Sequence, residues 1–390
     1  MTCKPKVLIS GWYGASNIGD ELLLGAFATW VADGGGELTV ISLNPEHTTQ
    51  VYGFAAVDFH NLGEIALALA DCDLFVMGGG GIFQDHHPFH INALYDATAL
   101  DIAQYARPFY LARQFGVRTL ILAHGVGPLA SHDAKEIVRD VFTLADVVSV
   151  RDEPSAVLLR KIGVTRDILV AADPGWYAAG DAVRASRKDP LASTKLAGNK
   201  KLALIVREWQ ADRQWEDKLV SALNGQLPTG WDCIWVAFQN SLDDSRASSD
   251  RPFLQQLSAR LDSRINSEII DHVAVVDAVA AIDECDSVLS MRLHGSILSL
   301  ALGKPCVFLE YDDKMTQAHN MAQVPDNLRL NLKCSLSNYE NVISKLGSFD
   351  SSWCIDQHVL QNLQISALEH RKVLTTELEF IRVNGKIRKQ

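Results

Sequence analysis

The sequence predicts an α/β protein of two Rossmann-like domains, each a parallel sheet covered by helices. Three observations carry this. Short apolar, β-branched runs alternate with longer helical patterns along most of the chain. The runs are apolar without interruption, as strands buried on both faces are. The chain has 390 residues, more than one core usually serves, so two domains are expected.

In the first half, strands are expected at "KVLIS" (6–10), "LTVIS" (38–42), "DLFVM" (73–77), "TLILA" (119–123), "DVVSV" (146–150) and "ILVA" (168–171). In the second half they are expected at "LALIV" (202–206), "CIWVAF" (233–238), "SVLS" (287–290) and "CVFLE" (306–310). Helical patterns occupy 20–32, 93–115, 133–145, 153–162, 212–223, 251–263, 275–284 and 294–302. The polar, basic, proline-bearing stretch "GDAVRASRKDPLASTKLAGNK" breaks the alternation and reads as a linker. The expected division is therefore 1–180 for the first domain, 181–200 for the linker and 201–335 for the second domain. Amphipathic helices are expected over 336–390, with a frayed end.

A net charge of −11 argues against nucleic acid as a main partner, since phosphate backbones require a basic face. The seven cysteines form no CxxC pair and read as free thiols in a reducing compartment. The opening "MTCKPKVLISGWYG" has too short an apolar run for a signal peptide, and no stretch is long enough to span a bilayer. A cytoplasmic location is expected, with docking on a membrane surface left open.

In open parallel sheets, ligands bind beyond the carboxyl ends of the strands. Glycines, charges and histidines gather at those ends here. "GWYGASNIGD" sets Gly11, Gly14 and Gly19 ahead of a helix. The spacing is not that of a dinucleotide fingerprint, and a tight turn with Asp20 at the helix start is the favoured reading. Four glycines at 78–81 cost about 0.5–1 kcal/mol each in a regular element, so close approach of a ligand or a second backbone is expected to offset them. Asp85 follows. His86, His87 and His90 invite a metal reading, but Pro88 breaks helical spacing and no metal-site motif matches, so no metal is expected. Arg151 has Asp152 and Glu153 beside it as surface partners, and Arg207 has Glu208. Taken together, Arg151, Arg207, Arg292 and Lys314 put four cations at strand ends, enough to hold a small, highly charged anion in a cleft between domains. His294, two residues after Arg292, is not at a typical core position.

The motifs "GWYGASNIGDELLL", "GGGGIFQD", "HGVGP", "SVRDEPSAVLLRKIGV", "ADPGW", "SMRLHGSILSLALGKP" and "EYDDKM", in this order, resemble those of the polysaccharide pyruvyl transferase family. The resemblance spans roughly residues 6 to 315, and its most specific part is the "MRLH" block with "GKP" and "YDDK". Asp313 departs from the proline the resemblance leads one to expect, which touches only the loop before Lys314. The resemblance implies a GT-B-like fold whose two sheets face a cleft and whose last helices return to the first domain. It implies transfer of the enolpyruvyl group of phosphoenolpyruvate onto two hydroxyls of a sugar, giving a pyruvate ketal and phosphate. No cofactor beyond that donor is implied, and the sugar acceptor would be free, nucleotide-linked or lipid-linked.

On this reading His294 is the general acid–base and Asp85 an orienting carboxylate or acceptor-hydroxyl contact. Arg151, Arg207 and Arg292 hold the donor's anionic groups, and Lys314 is a further phosphate contact. Gly14, Asn17, Gly79 and Gly80 line the substrate. Trp209 and Trp215 either stack on sugar faces or pack ordinarily. Two other readings stand beside it. One is a glycosyltransferase or epimerase using a nucleotide sugar, since fold does not set function. The other is a non-catalytic sugar-binding or assembly protein. The identity of the sugar and the oligomeric state are not legible in the residues.

Overall fold

The computed structural model describes residues 4–85, 89–95, 101–187, 198–209, 213–240, 249–271, 274–348 and 353–385. The chain divides into two compact units. Unit 1 comprises Met1–Ala15, Asp20–Pro174 and Ile365–Gln390, and unit 2 comprises Ser16–Gly19 and Gly175–Gln364.

Unit 1 is built from β1 (Lys6–Ser10), α1 (Ile18–Asp33, its first residues grouped with unit 2), β2 (Glu37–Ser42), α2 (Pro45–Tyr52), β3 (Ala55–Asp58), α3 (Leu62–Asp71) and β4 (Leu74–Phe83). It continues with α4 (Ile102–Gln114), β5 (Arg118–Val126), α5 (His132–Leu144), β6 (Val147–Val150), α6 (Glu153–Lys161) and β7 (Leu169–Val170). The strands form one parallel sheet in the order β3-β2-β1-β4-β5-β6-β7. Helix α5 shows how the covering layer arises. Ser131 caps it by accepting a hydrogen bond from Ala134 N at 3.2 Å, and Ile137, Val138, Val141 and Phe142 bury one face.

Unit 2 contains α7 (Gly175–Arg187), β8 (Lys200–Ile205), α8 (Gln214–Gln226), β9 (Trp231–Val236), α9 (Arg251–Ser258), β10 (Ser267–Ile270) and α10 (Val275–Asp283). Then follow β11 (Ser287–Ser290), α11 (Leu293–Ala301), β12 (Cys306–Glu310), α12 (Asp313–Ala322), β13 (Arg329–Asn331) and α13 (Leu336–Ser344). Its parallel sheet runs β10-β9-β8-β11-β12-β13. Helix α14 (Gln357–Asn384) begins in unit 2 and enters unit 1 at Ile365. In unit 1, Ser366 Oγ accepts from Ala172 N at 3.0 Å, Glu377 pairs with Arg118, and that guanidinium lies 5.0 Å over the Phe380 ring.

Two parallel α/β units are what the alternating runs predict. The structure differs in four places. The tetraglycine is not a loop but the continuation of β4, because β5, only one residue shorter, pairs with it at Gly78↔Leu122 and Gly80↔His124. Three short strands, β3, β10 and β13, lack the apolar runs that mark buried strands, since they lie at or next to sheet edges. The expected helix over 93–115 is a 3-10 turn at Ile91–Leu94 and a separate α4, which Asp101 caps by accepting from Ala103 N at 2.9 Å. Finally, the division falls at Pro174/Gly175, not at 180, because 175–187 is helix α7, packed on α10 and α11. Residues 188–197 of the expected linker lie outside the described residues, and α13 belongs to unit 2, beside α8.

Two histidines in unit 1 are sealed in. His124 on β5 contacts Met77 O at 3.2 Å through Nε2, and burial, with help from Arg151, pushes its pKa down to about 3. His370 on α14 contacts Ser149 Oγ at 3.0 Å, and burial pushes its pKa down to about 4. Both folded values lie below the ordinary 6.5, so the unfolded chain takes up these protons first as pH falls. Their contribution to stability is complete above about pH 6.5 and shrinks as pH falls towards the folded values. The melting temperature should therefore drop between about pH 6.5 and 4, and His370→Leu should flatten the drop. A drop equally steep in that variant would show that His370 is not buried neutral.

Candidate functional site

The sheet order of unit 2 reverses direction between β8 and β11. At such a switch point the two neighbouring strands send their following loops to opposite sides, opening a crevice at the carboxyl edge. Ile205 pairs with Ser290 across these strands. The residues two places beyond each are Arg207 and Arg292, so register alone brings two guanidinium groups to the crevice.

Arg292 caps α11 from its N-terminal side, and His294 stands half-buried in that helix's first turn. Arg292 Nη2 donates to both oxygens of Asp250, each at 2.6 Å. The two side chains are only 11% and 8% exposed. Asp250 is held in turn by Phe238 N at 3.2 Å and Gln239 N at 2.9 Å. Arg292 Nε is buried with no hydrogen-bond partner among the described residues. Beyond the end of β12, the Tyr311 ring lies 4.5 Å from that of Trp209 and 5.1 Å beneath Lys314 Nζ. Arg207 lies 5.6 Å over the Trp209 ring. Burial and the neighbouring Arg292 charge lower the pKa of Arg207. Burial would raise the pKa of the Tyr311 phenol, but Lys314, Arg207 and Arg292 outweigh it and bring it below its ordinary value. Like charges so close together disfavour one another's protonated forms, and an anion placed among them would relieve that repulsion.

The segment Ser16–Gly19 groups with this unit. Ile18 N donates to Phe238 O at 2.8 Å, Asn240 N donates to Ser16 O at 3.0 Å, and Asn17 Nδ2 donates to Gln239 Oε1 at 2.9 Å. Gly19 lies so close to the His294 imidazole that any side chain there would collide with it. Asn17, expected against substrate, thus holds the loop that flanks the histidine. Its Oδ1 also accepts from Gly19 N at 3.0 Å.

The expected residues of unit 1 are placed otherwise. Arg151 is buried, and its Nη1 donates to Asp173 Oδ2 at 3.0 Å while Nε lies 3.8 Å from Asp152. Burial alone would lower its pKa, yet these carboxylates and Asp20 raise it. The local pairing with Asp152 foreseen in the sequence is thus part of what occurs, with Asp173 as the closer partner. Asp85 spends both oxygens on backbone donors, accepting from Ala130 N at 2.8 Å and Ser131 N at 2.7 Å, and so clamps the loop before α5. The glycines are crowded by the protein itself. A Cβ would meet the Tyr13 hydroxyl at Gly78, Ala123 O at Gly79 (3.0 Å), Asp20 Oδ1 at Gly80 (2.9 Å) and Arg151 at Gly125 (2.5 Å). Gly14 is a turn residue at φ +73°, closed against Ser42, and its N–H donates to Glu21 at 2.9 Å. Gly14, Gly79 and Gly80 are thus closely packed by the protein itself, and Trp215 is a fully buried core residue beside Phe253, the ordinary packing that the sequence left open for it.

Gly80 tests this directly. Alanine there would meet Asp20 and a φ of +123°, so Gly80→Ala should destabilise the fold by about 1–3 kcal/mol. Donor affinity of the folded fraction, measured by calorimetry, should not change. Weaker binding without a stability loss would return Gly80 to the substrate.

Asp250 and Tyr311 were not singled out in the sequence, whereas Trp209 takes the packing role that was one of its two readings. Tyr311 opens the loop after β12 and was within reach of the strand-end rule. Asp250 carries no signal, because its partner is 42 residues away. His90 is exposed, and His86 and His87 lie outside the described residues. Among the described residues no group of three or more His, Cys, Asp or Glu could hold a metal ion, and no helix is long and apolar enough to cross a membrane.

The family model described as polysaccharide pyruvyl transferase matches residues 17–313. The amylovoran biosynthesis protein AmsJ of Erwinia amylovora is 19% identical over 217 residues, 53% of this chain and 52% of AmsJ. The chain thus spans about half the length of the curated relative it matches. Among solved structures, the UDP-GlcNAc 2-epimerase of Neisseria meningitidis bound to UDP-GlcNAc superposes with a TM-score of 0.61 at 11% identity, covering 96% of this chain and all of the other. The S. aureus MnaA–UDP structure gives 0.62 at 12% identity, covering 99% and 100%. The trehalose 6-phosphate synthase of Burkholderia multivorans gives 0.55 at 12% identity, covering 98% and 99%. At these identities the likeness is one of fold.

Proposed function

The chain belongs to the polysaccharide pyruvyl transferase family, and from that premise we propose that it transfers the enolpyruvyl group of phosphoenolpyruvate to two hydroxyls of a sugar in a glycan precursor. The observation that carries the donor assignment is the switch point of unit 2. Arg207, Arg292 and Lys314 converge on Tyr311 there, and Arg292 keeps a buried Nε without a partner. A buried donor left unpaired costs about 1–3 kcal/mol, a cost that an anionic oxygen placed against it removes. Phosphoenolpyruvate carries a carboxylate and a phosphate, together about −3, and suits three cations better than a neutral sugar does.

In the reaction His294 gives a proton to the methylene carbon, which becomes a methyl group and leaves C2 electron-poor. The first sugar hydroxyl adds to C2 and its proton returns to His294. The C2–O bond to phosphate then breaks with its electron pair staying on the oxygen, the second hydroxyl closes the ketal, and the proton it loses leaves on the phosphate as hydrogen phosphate. Asp250 holds Arg292 in place throughout. Asn17 and Gly19 fix the surroundings of the imidazole. Arg151 and Asp85 keep their places in unit 1 as positioning groups for the β4–β5 end and the loop before α5.

The test is incubation with phosphoenolpyruvate and a panel of free, nucleotide-linked and polyprenyl-phosphate-linked hexoses. Mass spectrometry should find a sugar heavier by one pyruvate less one water, with phosphate released in equal amount. Tight binding of a uridine nucleotide with no affinity for phosphoenolpyruvate would favour a nucleotide-sugar enzyme instead. Because side-chain cations serve the donor, turnover should persist in a chelator. Activity lost in chelator and restored by one specific metal ion would overturn that expectation.

A further inference from the structure

We propose that unit 1 binds an anionic sugar through Arg107 and Gln104 of α4. The charge balance of Arg107 carries the argument. The residue is only 5% exposed. Its Nη2 donates to Phe59 O at 3.1 Å, an uncharged acceptor, and its Nε is buried with no hydrogen-bond partner among the described residues. No carboxylate there forms an ion pair with it, and burial is what lowers its pKa. Arg151, buried to about the same degree, faces Asp173 and Asp152 instead, and they raise its pKa. A buried charge is costly unless it is both paired and hydrogen-bonded. Water can complete the hydrogen bonds of Arg107 but brings no opposite charge. An anion supplies both.

Gln104 shows why the ligand is a sugar and not a bare anion. It stands three residues before Arg107, on the same face of α4. Its Nε2 contacts His60 Nδ1 at 3.4 Å, while its Oε1 is buried without a partner among the described residues. A buried donor and a buried acceptor thus lie one helical turn apart and do not bond each other. A ligand with an anionic oxygen for Arg107 and a hydroxyl for Gln104 Oε1 satisfies both, as a sugar phosphate or a uronic acid does. The place in the fold agrees. The sheet order of unit 1 reverses direction between β1 and β4, which is where an open parallel sheet receives a ligand. Trp12 follows β1, Phe59 follows β3, and α4 follows β4. The half-buried Trp12 ring stands edge-on to Tyr105 at 6.1 Å, and Tyr105 lies 5.6 Å from Phe59, so an aromatic wall of the kind that packs on sugar faces adjoins the polar pair. The anion site is argued without reference to any reaction. That the sugar is the acceptor rests on the transferase reading above, and it selects a charged acceptor over a free neutral hexose.

The experiment titrates α-glucose 1-phosphate, glucuronate and glucose into the full-length protein by calorimetry. A charged sugar should bind and glucose should not, and the tighter of the two charged sugars tells whether the anion is a phosphate or a carboxylate. Arg107→Met keeps the reach of the side chain and removes its charge, and should weaken that binding about 10-fold to 100-fold. Arg292→Ala, a change in unit 2, should leave it as it is. Gln104→Met should weaken the sugar but not inorganic phosphate, and it serves as the test if the arginine variant does not fold. With the acceptor that the wild type converts, Arg107→Met should raise KM by the same factor while its affinity for phosphoenolpyruvate holds. Glucose binding as tightly as the charged sugars would overturn the proposal, as would charged-sugar binding that survives Arg107→Met. So would a lower melting temperature in Arg107→Met with unchanged sugar binding, the mark of an arginine that only ties α4 to the chain after β3. A charged sugar held through Arg107 by a protein that releases no phosphate from phosphoenolpyruvate with any acceptor would uphold the site and overturn the transferase reading.

Discussion

His294→Gln is expected to bind phosphoenolpyruvate about as well as the wild type and to lose turnover by about 10²–10⁴-fold, the range usual for a general acid–base group. Glutamine has a comparable reach and can hydrogen-bond from the first turn of α11, so the donor's surroundings survive. What it cannot do is gain and lose a proton near neutral pH. Gly19 makes the substitution informative, because it packs so closely on the imidazole that the histidine has little room for another rotamer. The residue in that place is either well positioned for chemistry or a wedge holding the loop Ser16–Gly19. A wedge would reveal itself as a lower melting temperature with normal turnover. Calorimetry of the donor beside phosphate-release kinetics separates the two, and a near-wild-type rate removes His294 from the mechanism.

The sheets were legible because strands buried on both faces must be continuously apolar, and ten such runs stand out in the chain. The strands β3, β10 and β13 were not, since strands at or next to an edge need little apolar surface. The cations of unit 2 were legible for a related reason. Carboxyl ends of parallel strands are where side chains can face a ligand, and Arg207, Arg292, His294 and Lys314 all follow such ends. The same rule says less about Arg151, Gly79 and Gly80. Strand-end position says where a residue is, not what faces it, and here Asp173 pairs with Arg151 and Asp20 lies against Gly80. Whether a glycine clears room for substrate or for the protein's own carboxylate depends on contacts between distant segments. Asp250 was invisible on the same account.

Arg292→Ala should weaken donor binding and slow turnover together, and should also cost stability. The guanidinium is the only side-chain cation that the described structure places on both oxygens of Asp250, and the pair is nearly buried. Removing one partner of a buried pair typically costs about 3–5 kcal/mol, because a carboxylate is left without its charge partner. Here the lower end is expected, since Phe238 N and Gln239 N continue to donate to Asp250. Donor affinity should fall by about 10-fold to 100-fold, the loss of a charged hydrogen bond worth about 1.5–3 kcal/mol. Arg292→Lys divides the two effects. An ammonium can neutralise Asp250 and recover much of the stability, but it is a point charge that cannot span the carboxylate and present a second nitrogen to the donor. Its melting temperature should approach that of the wild type while its donor affinity stays close to that of Arg292→Ala. If lysine restores both, Arg292 acts on the donor only as a distant charge. If alanine leaves donor affinity intact, Arg292 exists to hold Asp250, and the donor's cations reduce to Arg207 and Lys314.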